Sequence, residues 1–247
     1  DIHCMFEDSK IDAIICARGG YGANRVLPLL DYGIIAENPK IFVGYSDITA
    51  FLTSITQKTN LVTFHGPMLT TYKESWIEYN YGLMQRVLFG EKFIKLFSPN
   101  DLEPKILKEG KAIGPLWGGN MCLLTNRLGS AEELNTNGSI LFLEDIDEYL
   151  YSFERMLVQM RNARMFDNIK GLIFGELKDM KDQEIKFGRN TDEIILDICG
   201  DLNIPIISNF PCGHGKFQST LPISVTTEID TTNKEAMVTI IDNAVEI

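Results

Sequence analysis

The chain has 247 residues, of which 45% are hydrophobic and 23% are charged, and its formal net charge is −11 at pH 7. Such a composition excludes a disordered chain and predicts a globular protein with a sizeable core. The acidic balance also argues against binding to the phosphate backbone of a nucleic acid.

The first part of the sequence alternates between short apolar runs and helix-like stretches. We predict strands over 11–17, 41–44 and 61–66, with helices around 22–31, over 48–58 and from about 74 to 93. Strands and helices that alternate across short loops are typical of a parallel α/β sheet. A polar stretch follows, SPNDLEPKILKEGK, and we predict a linker over 98–113.

The second part begins at GPLWGGN and contains both kinds of element. We predict helices near 120–129 and over 151–166 and 191–202, and strands over 139–145, 169–177, 205–210, 221–230 and 235–242. No internal repeat and no low-complexity segment is recognisable.

Cysteine usage and hydropathy exclude further classes of protein. The five cysteines are odd in number and no pair has C-x-x-C spacing, which argues against a disulfide framework and a zinc knuckle and favours free thiols in a reducing compartment. No apolar run reaches the roughly 18 residues that a membrane-spanning helix needs, and no signal peptide is recognisable.

The segment Gly44-Tyr45-Ser46-Asp47 carries the clearest chemical signal. A serine at a strand-to-helix turn projects its hydroxyl from the carboxyl end of the strand, and the amides that follow it supply half of an oxyanion hole. The final glycine of the G-x-S-x-G pattern is replaced by Ile48. Capping of the helix by Ser46 or Asp47 is an alternative explanation, and the motif alone does not decide between the two.

A serine nucleophile needs a base, and the chain has three histidines. His3 stands at the start of the chain, where we expect fraying. His65 ends a buried strand and is expected to be a hydrogen-bonded structural residue. His214 lies in the glycine-flanked loop FPCGHGKFQ, from which an imidazole can reach into a cleft.

The base in turn needs a carboxylate that orients it. Glu144 closes the apolar run ILFLE, where a buried carboxylate requires a partner such as an imidazole N–H. Asp145 and Asp147 are competing candidates, although both are also explained as solvated loop residues.

Two glycine-rich segments permit a close approach of the backbone. Arg18-Gly19-Gly20-Tyr21-Gly22 lacks the spacing of either common nucleotide-binding motif, and the N–H of Gly20 is a candidate second oxyanion donor. Gly118-Gly119-Asn120 permits the approach of a substrate or of another backbone segment.

These motifs, taken together and in this order, resemble the LD-carboxypeptidase family of serine peptidases, which includes muramoyltetrapeptide carboxypeptidases and microcin C immunity proteins. The segments that carry the resemblance are DAIICARGGYGANRVLPLLD, NPKIFVGYSDIT, VTFHGPM, GGN, LFLEDIDEYLYSFERML and FPCGHG followed by TLPI. The resemblance implies a Ser46-Glu144-His214 triad and an oxyanion hole formed by the amides of Gly20 and Asp47.

The resemblance also implies an architecture. We expect an α/β N-terminal domain over 1–97 that carries the nucleophile at a strand-helix turn, and a β-rich C-terminal domain over 114–247 that carries the glutamate and the histidine. The active site would lie at their junction. Relatives carry roughly 60–70 further residues before the point where this chain begins, a length close to that of a small domain. That N-terminal portion of the family fold is therefore expected to be missing here.

The expected substrate is a murein tetrapeptide, cleaved between a diamino acid and its terminal D-Ala during cell-wall recycling. Candidate substrate-binding residues are Arg18, Tyr21, Gly119 and Asn120, and Arg25 and Arg155 are further candidates for the terminal carboxylate. The family implies a cytoplasmic homodimer without metal or cofactor and without a nucleic-acid or membrane partner. Two alternatives stay open: a microcin-immunity-type amidase acting on a peptidyl- or aminoacyl-nucleotide, and an inactive muropeptide-binding module.

Overall fold

The computed structural model describes residues 1–74, 77–232 and 237–246, with the backbone alone for residues 72–74. Its helices are α1 (Ile2–Glu7), α2 (Ala23–Val26), α3 (Tyr32–Glu37), α4 (Thr49–Thr59), α5 (Leu69–Glu74), α6 (Glu78–Leu88), α7 (Met121–Asn126), α8 (Leu150–Asn162) and α9 (Thr191–Cys199). Its strands are β1 (Ala13–Ile15), β2 (Ile41–Gly44), β3 (Phe64–His65), β4 (Ile94–Leu96), β5 (Lys105–Lys108), β6 (Lys111–Asn120), β7 (Ile140–Ile146), β8 (Gly171–Lys178), β9 (Ile206–Gly213), β10 (Leu221–Pro222), β11 (Thr226–Asp230) and β12 (Val238–Ile240).

The first sheet has four strands in the order β1-β2-β3-β10. β1, β2 and β3 are parallel, as the alternation of strands and helices predicts, and Gly44 at the end of β2 pairs with His65 at the end of β3. The carboxyl ends of parallel strands lie at the same edge of a sheet. His65 therefore lies beside the turn that follows β2.

The second sheet has eight strands in the order β4-β12-β11-β6-β7-β8-β9-β5, and β6 to β9 are parallel to one another. β7 is buried over nearly its whole length because both of its faces are covered. Ile140 and Phe142 join a core shared with the first sheet, whereas Leu141 and Leu143 pack in a second core with α8 and α9. This alternation follows from the two-residue period of a strand.

The two predicted domains exchange strands. β10, which follows His214 in the chain, pairs with β3 of the first sheet, and β4, which lies before residue 97, pairs with β12 of the second. The segment 98–113, predicted as a linker, contains β5 at the edge of the second sheet and the start of β6. The lysines at both ends of Lys105-Ile106-Leu107-Lys108 suit an edge strand, which the polar composition of the segment concealed.

Arg127 ties the two halves together. Its guanidinium is buried and donates to the carbonyl of Ala50 at 3.2 Å, to Ser54 Oγ at 2.9 Å and to Thr53 Oγ1 at 2.6 Å, all of them on α4. Burial lowers the pKa of Arg127 to about 10, against the opposing effects of Glu132 and Tyr32. Helix α7, which ends beside Arg127, is thereby fixed to the helix that follows Ser46.

Several predicted helix bounds differ from the structure. The helix predicted around 22–31 is the short α2 and a 3-10 turn, and α3 begins only after Asp31, whose side chain accepts from Gly33 N at 2.9 Å. Of the helix predicted from 74 to 93, the structure forms α6 and the last residue of α5, and the helix ends at Leu88; residues 75–76 lie outside the described part of the chain. Among the described residues, every helix is too short or too polar to span a bilayer.

Replacement of Gly118 should show how tightly β6 packs on β7. Gly118 has φ +145°, and a Cβ there would overlap the carbonyl oxygen of Phe142. We expect Gly118→Ala to lower the free energy of unfolding in urea by at least about 3 kcal/mol. The matched control is Gly129→Ala, because Gly129 has φ +77° and open space around it; its loss should be about 1–2 kcal/mol from backbone strain alone. Equal losses in the two variants would contradict this packing.

Candidate active site

The turn after β2 holds Ser46 in a strained backbone conformation. Ser46 has φ +63° and begins a 3-10 turn that leads directly into α4. For a non-glycine residue this left-handed conformation costs about 1–2 kcal/mol, and it is typical of a nucleophile elbow. The turn is tight enough that a Cβ at Gly44 would lie 2.6 Å from Ile48 Cγ2, so glycine is required there.

The helix-capping alternative does not describe this turn. In the described part of the chain, no hydrogen bond joins Ser46 Oγ or the Asp47 carboxylate to an amide of α4. Instead, buried Asp47 Oδ2 accepts from Ala23 N at 3.1 Å. That bond fastens the start of α2, just beyond the glycine-rich loop, to the serine turn.

The glycine-rich loop lies directly over Ser46. A Cβ at Gly19 would lie 2.9 Å from Ser46 Cβ, 3.0 Å from Ser46 Oγ and 3.5 Å from Asp47 N. Only a glycine leaves room for the serine side chain here, and sequence analysis did not single out this position. Gly20 has φ +140°, a conformation that L side chains rarely adopt. The roles of the Gly20 and Asp47 amides as oxyanion donors stay predictions.

Glu144 and His214 form a close pair. His214 Nδ1 lies 2.7 Å from Glu144 Oε2, and the Glu144 side chain is fully buried. The carboxylate reaches the ring past Gly213, where φ is +98° and a Cβ would lie 2.6 Å from Oε2. Burial lowers the pKa of His214, but the hydrogen bond and charge of Glu144, together with the charge of Asp145, outweigh it, so the net pKa is raised.

The two competing carboxylates are engaged elsewhere. Asp147 forms an exposed ion pair with Lys181 at 2.6 Å. Asp145 accepts from Asn120 Nδ2 at 3.1 Å and from Cys122 N at 2.9 Å. Burial and the charge of Glu144 raise the pKa of Asp145 to about 6 against the lowering effect of its hydrogen bonds. Of the three candidates, Glu144 is the one that contacts an imidazole.

The histidine and the serine turn meet through Tyr45. The ring of Tyr45, the residue before Ser46, lies edge-on to the ring of His214 with centroids 5.0 Å apart. Within the described residues, no hydrogen bond joins Ser46 to His214. Catalytic hydrogen bonds are often long in unliganded enzymes and shorten when substrate binds.

The other two histidines depart from their predictions. His65 is buried edge-on to Phe142 and Tyr45, at 5.1 and 6.0 Å between centroids, but its Nδ1 has no hydrogen-bond partner among the described residues. Burial lowers its pKa to about 4, so the ring is neutral at physiological pH. His3 is held in place, because its Nε2 accepts from Asp31 N at 2.8 Å.

Asn120 and Gly119 connect the serine helix to the second sheet. Asn120 N donates to Thr49 Oγ1 on α4 at 3.0 Å, and its side-chain oxygen caps α7 by accepting from Leu123 N at 3.2 Å. A Cβ at Gly119 would lie 2.5 Å from Thr49 Cγ2. The close approach at this glycine is therefore made by α4, and contact of either residue with substrate stays a prediction.

The remaining substrate-binding candidates lie at the surface. Tyr21 is 92% exposed, and Arg18 and Arg25 are exposed with no ion pair in the part of the chain that the structure describes. Arg155 lies on α8, with its guanidinium 5.6 Å from the ring centre of Tyr151. Among the described residues, no group of His, Cys, Asp or Glu side chains is arranged to hold a metal ion.

Sequence analysis also missed Glu176. Its carboxylate lies against Gly215, the residue after His214, and Oε1 is buried without a hydrogen-bond partner among the described residues. A signal was present, because Glu176 closes the apolar run LIFGE in the same way that Glu144 closes ILFLE.

Comparison with known proteins identifies the family. Residues 1–66 match the model of the LD-carboxypeptidase N-terminal domain, and residues 113–229 match that of the C-terminal domain. A Bacillus subtilis protein named "Probable murein peptide carboxypeptidase" is 35% identical over 242 residues, covering 96% of this chain and 75% of the relative.

Similarity to two further proteins bears on specificity. The microcin C7 self-immunity protein MccF of Escherichia coli is 33% identical over 262 residues, covering 93% of this chain and 74% of MccF. A structure of MccF with aspartyl sulfamoyl adenosine has a TM-score of 0.86 at 28% identity, covering 99% of this chain and 80% of that one. The muramoyltetrapeptide carboxypeptidase from Oxalobacter formigenes has a TM-score of 0.84 at 27% identity, covering 98% and 82%. The chain belongs to the LD-carboxypeptidase family and is an enzyme of the serine carboxypeptidase class.

Proposed function

We propose that the chain hydrolyses the amide bond to the terminal D-Ala of murein tetrapeptides in cell-wall recycling, through an acyl-enzyme on Ser46. The observation that carries this proposal is the 2.7 Å hydrogen bond between His214 and buried Glu144, beside the strained Ser46 turn. The relatives named as murein peptide and muramoyltetrapeptide carboxypeptidases support this substrate class.

The tautomer of His214 follows from its partner. Because Nδ1 donates to the Glu144 carboxylate, Nε2 carries the lone pair and is free to accept a proton. His214 Nε2 takes the proton of Ser46 as Oγ attacks the scissile carbonyl. Glu144 stabilises the imidazolium that forms, and it does so strongly because it is shielded from water.

The oxyanion forms next to the glycine-rich loop. The amides of Gly20 and Asp47 donate to it, and removal of one such donor typically costs about 3–4 kcal/mol. His214 then protonates the amine of the leaving D-Ala, and a water molecule hydrolyses the acyl-enzyme by the reverse sequence of proton transfers. Arg18 is exposed and directly precedes Gly19 in the chain, and we assign it to the carboxylate of the leaving group.

The runner-up is hydrolysis of an aminoacyl-nucleotide analogue, which the similarity to MccF favours. The connection after β8, over 179–190, is short and charged in this chain, which favours the peptide substrate. We further propose a cytoplasmic enzyme that acts as a homodimer; the five unpaired cysteines support the reducing compartment.

Replacement of the nucleophile tests the proposal. Ser46→Ala should lower kcat for release of D-Ala from a murein tetrapeptide by roughly 10⁴–10⁶-fold, because the acyl-enzyme cannot form. Ser9→Ala, at an exposed serine, serves as the control and should be fully active. Unchanged release by Ser46→Ala would contradict the mechanism. Tetrapeptide binding without release by the unmodified chain would instead indicate the inactive binding module, and faster turnover of aspartyl sulfamoyl adenosine would indicate the amidase.

The pH dependence of kcat/KM tests the role of Glu144. His214 must be neutral to act as a base, and its pKa is raised above the ordinary value of 6.5, so activity should fall as pH decreases through a midpoint above 6.5. Glu144→Gln removes the charge that favours the imidazolium, and the midpoint should therefore move to lower pH. Its kcat should also fall by about 10⁴-fold because the tautomer is no longer fixed. A midpoint that stays in place or moves upward would refute the assigned role.

A further inference from the structure

Glu176 is a second carboxylate beside the catalytic histidine. It lies near the end of β8 and pairs in register with Gly213 of β9, immediately before His214. A Cβ at Gly215 would overlap the Glu176 carboxyl group, so the carboxylate lies directly on the backbone of the residue after His214. The catalytic imidazole is thus bracketed by glycines that face Glu144 on one side and Glu176 on the other.

Glu176 is half-buried, and one oxygen of its carboxylate lacks a partner. Its Oε1 is buried and has no hydrogen-bond partner among the described residues. Burial raises the pKa of Glu176, and the nearby charge of Lys178 opposes this only in part. The Lys178 ammonium lies 3.7 Å from the Asp179 carboxylate. A buried acceptor without a donor is uncommon in folded proteins and calls for a partner, which a water molecule or a group of a bound ligand can supply.

Glu176 is not part of the triad, but it lies near the same buried residue as Glu144. The buried thiol of Cys212 has its pKa raised by burial and then by the charges of Glu144 and Glu176, so both carboxylates lie near this residue. Asp145 adds a third acid next to Glu144. The His214 side of the site is therefore rich in negative charge.

The glycine-rich loop at Ser46 carries a cation. Arg18 follows β1 and directly precedes Gly19, which lies against Ser46, and it is exposed with no ion pair in the described part of the chain. A ligand lying across Ser46 would match this polarity if it had a carboxylate at its end and an ammonium group further upstream. A D-Ala-terminated peptide with a diamino acid before the scissile bond has this distribution of charge.

The geometry points to Glu176 as the residue that pairs with the side-chain ammonium of the diamino acid on the acyl side of the scissile bond. This inference rests on the proposed function and deepens it, since it identifies a specificity residue for the acyl side of the substrate. The ammonium supplies the hydrogen-bond donor that Oε1 lacks, and an ion pair shielded by the loop of His214 and Gly215 is stronger than one in open solvent.

The test combines two substrates with two enzymes. One substrate is a murein tetrapeptide with a free side-chain ammonium, and the other is the same peptide with that amine acetylated. The unmodified enzyme should show kcat/KM at least about tenfold lower on the acetylated peptide, as expected for loss of a charge-assisted hydrogen bond. Glu176→Gln should lose about the same factor on the free amine, mainly through KM, and should treat the two peptides alike within about threefold.

The controls separate charge pairing from structural support. Glu184→Gln removes one negative charge at an exposed position and should keep the full preference for the free amine. Glu176→Asp keeps the charge and should retain part of the preference, which shows that the carboxylate, and not the fold of the loop, supplies it. Equal losses by Glu176→Gln on both peptides, or an unchanged ratio, would overturn the inference.

Failure of the inference is distinguishable from failure of the proposed function. If the unmodified enzyme releases D-Ala from both peptides at equal rates, the proposed function stands and the role of Glu176 is refuted. If it releases D-Ala from neither peptide, the proposed function itself fails. Since the ratio for the unmodified enzyme needs no variant, the inference stays testable even if Glu176→Gln does not fold.

Discussion

The hydrogen bond between His214 and the fully buried Glu144 is the interaction on which the rest of the site depends. A carboxylate with no exposed surface is costly unless a donor satisfies it. His214 Nδ1 is that donor for Oε2 at 2.7 Å, whereas Oε1 has no partner among the described residues. The glycine at 213 is a consequence, because any side chain there would occupy the space of the carboxylate. The raised pKa of His214 is another, and it suits the imidazole to its proposed role as a base.

The fold brings this pair close to the turn of Ser46, the proposed nucleophile, by joining two sheets. Ser46 follows β2 of the first sheet. Glu144 lies in β7 of the second sheet, and His214 follows β9 of the same sheet. Three connections hold the sheets in position: β10 on β3, Asn120 on Thr49, and Arg127 on α4. The strained backbone conformation of Ser46 persists because both sides of its turn are fixed in this way.

Much of the site could be predicted from the sequence because its signals are local. The strand-to-helix turn at Ser46, the buried strand that ends in Glu144 and the glycine-flanked His214 are each visible in a few consecutive residues. The core strands β2, β7, β8 and β9 were predictable for the same reason, since continuous apolar runs mark strands that are covered on both faces.

The rest could not be predicted because it depends on contacts between distant segments. β5 is a strand only because β9 offers it an edge, and its lysines and polar surroundings look like a linker in isolation. Gly19 and Gly119 are constrained by Ser46 and Thr49, which are remote in sequence. Glu176 had a local signal, but its significance arises from Gly215 and from the acids that surround it. The exchange of strands between the two halves likewise leaves no mark in composition.

The most direct test of the central claim is a crystal structure of the chain after reaction with a fluorophosphonate, which mimics the tetrahedral intermediate. We predict a covalent bond from Ser46 Oγ to phosphorus, with His214 Nε2 within about 2.6–3.2 Å of the adduct and its Nδ1 still bonded to Glu144. An adduct on another residue, or an imidazole that keeps its bond to Glu144 but cannot reach Ser46, would contradict the account.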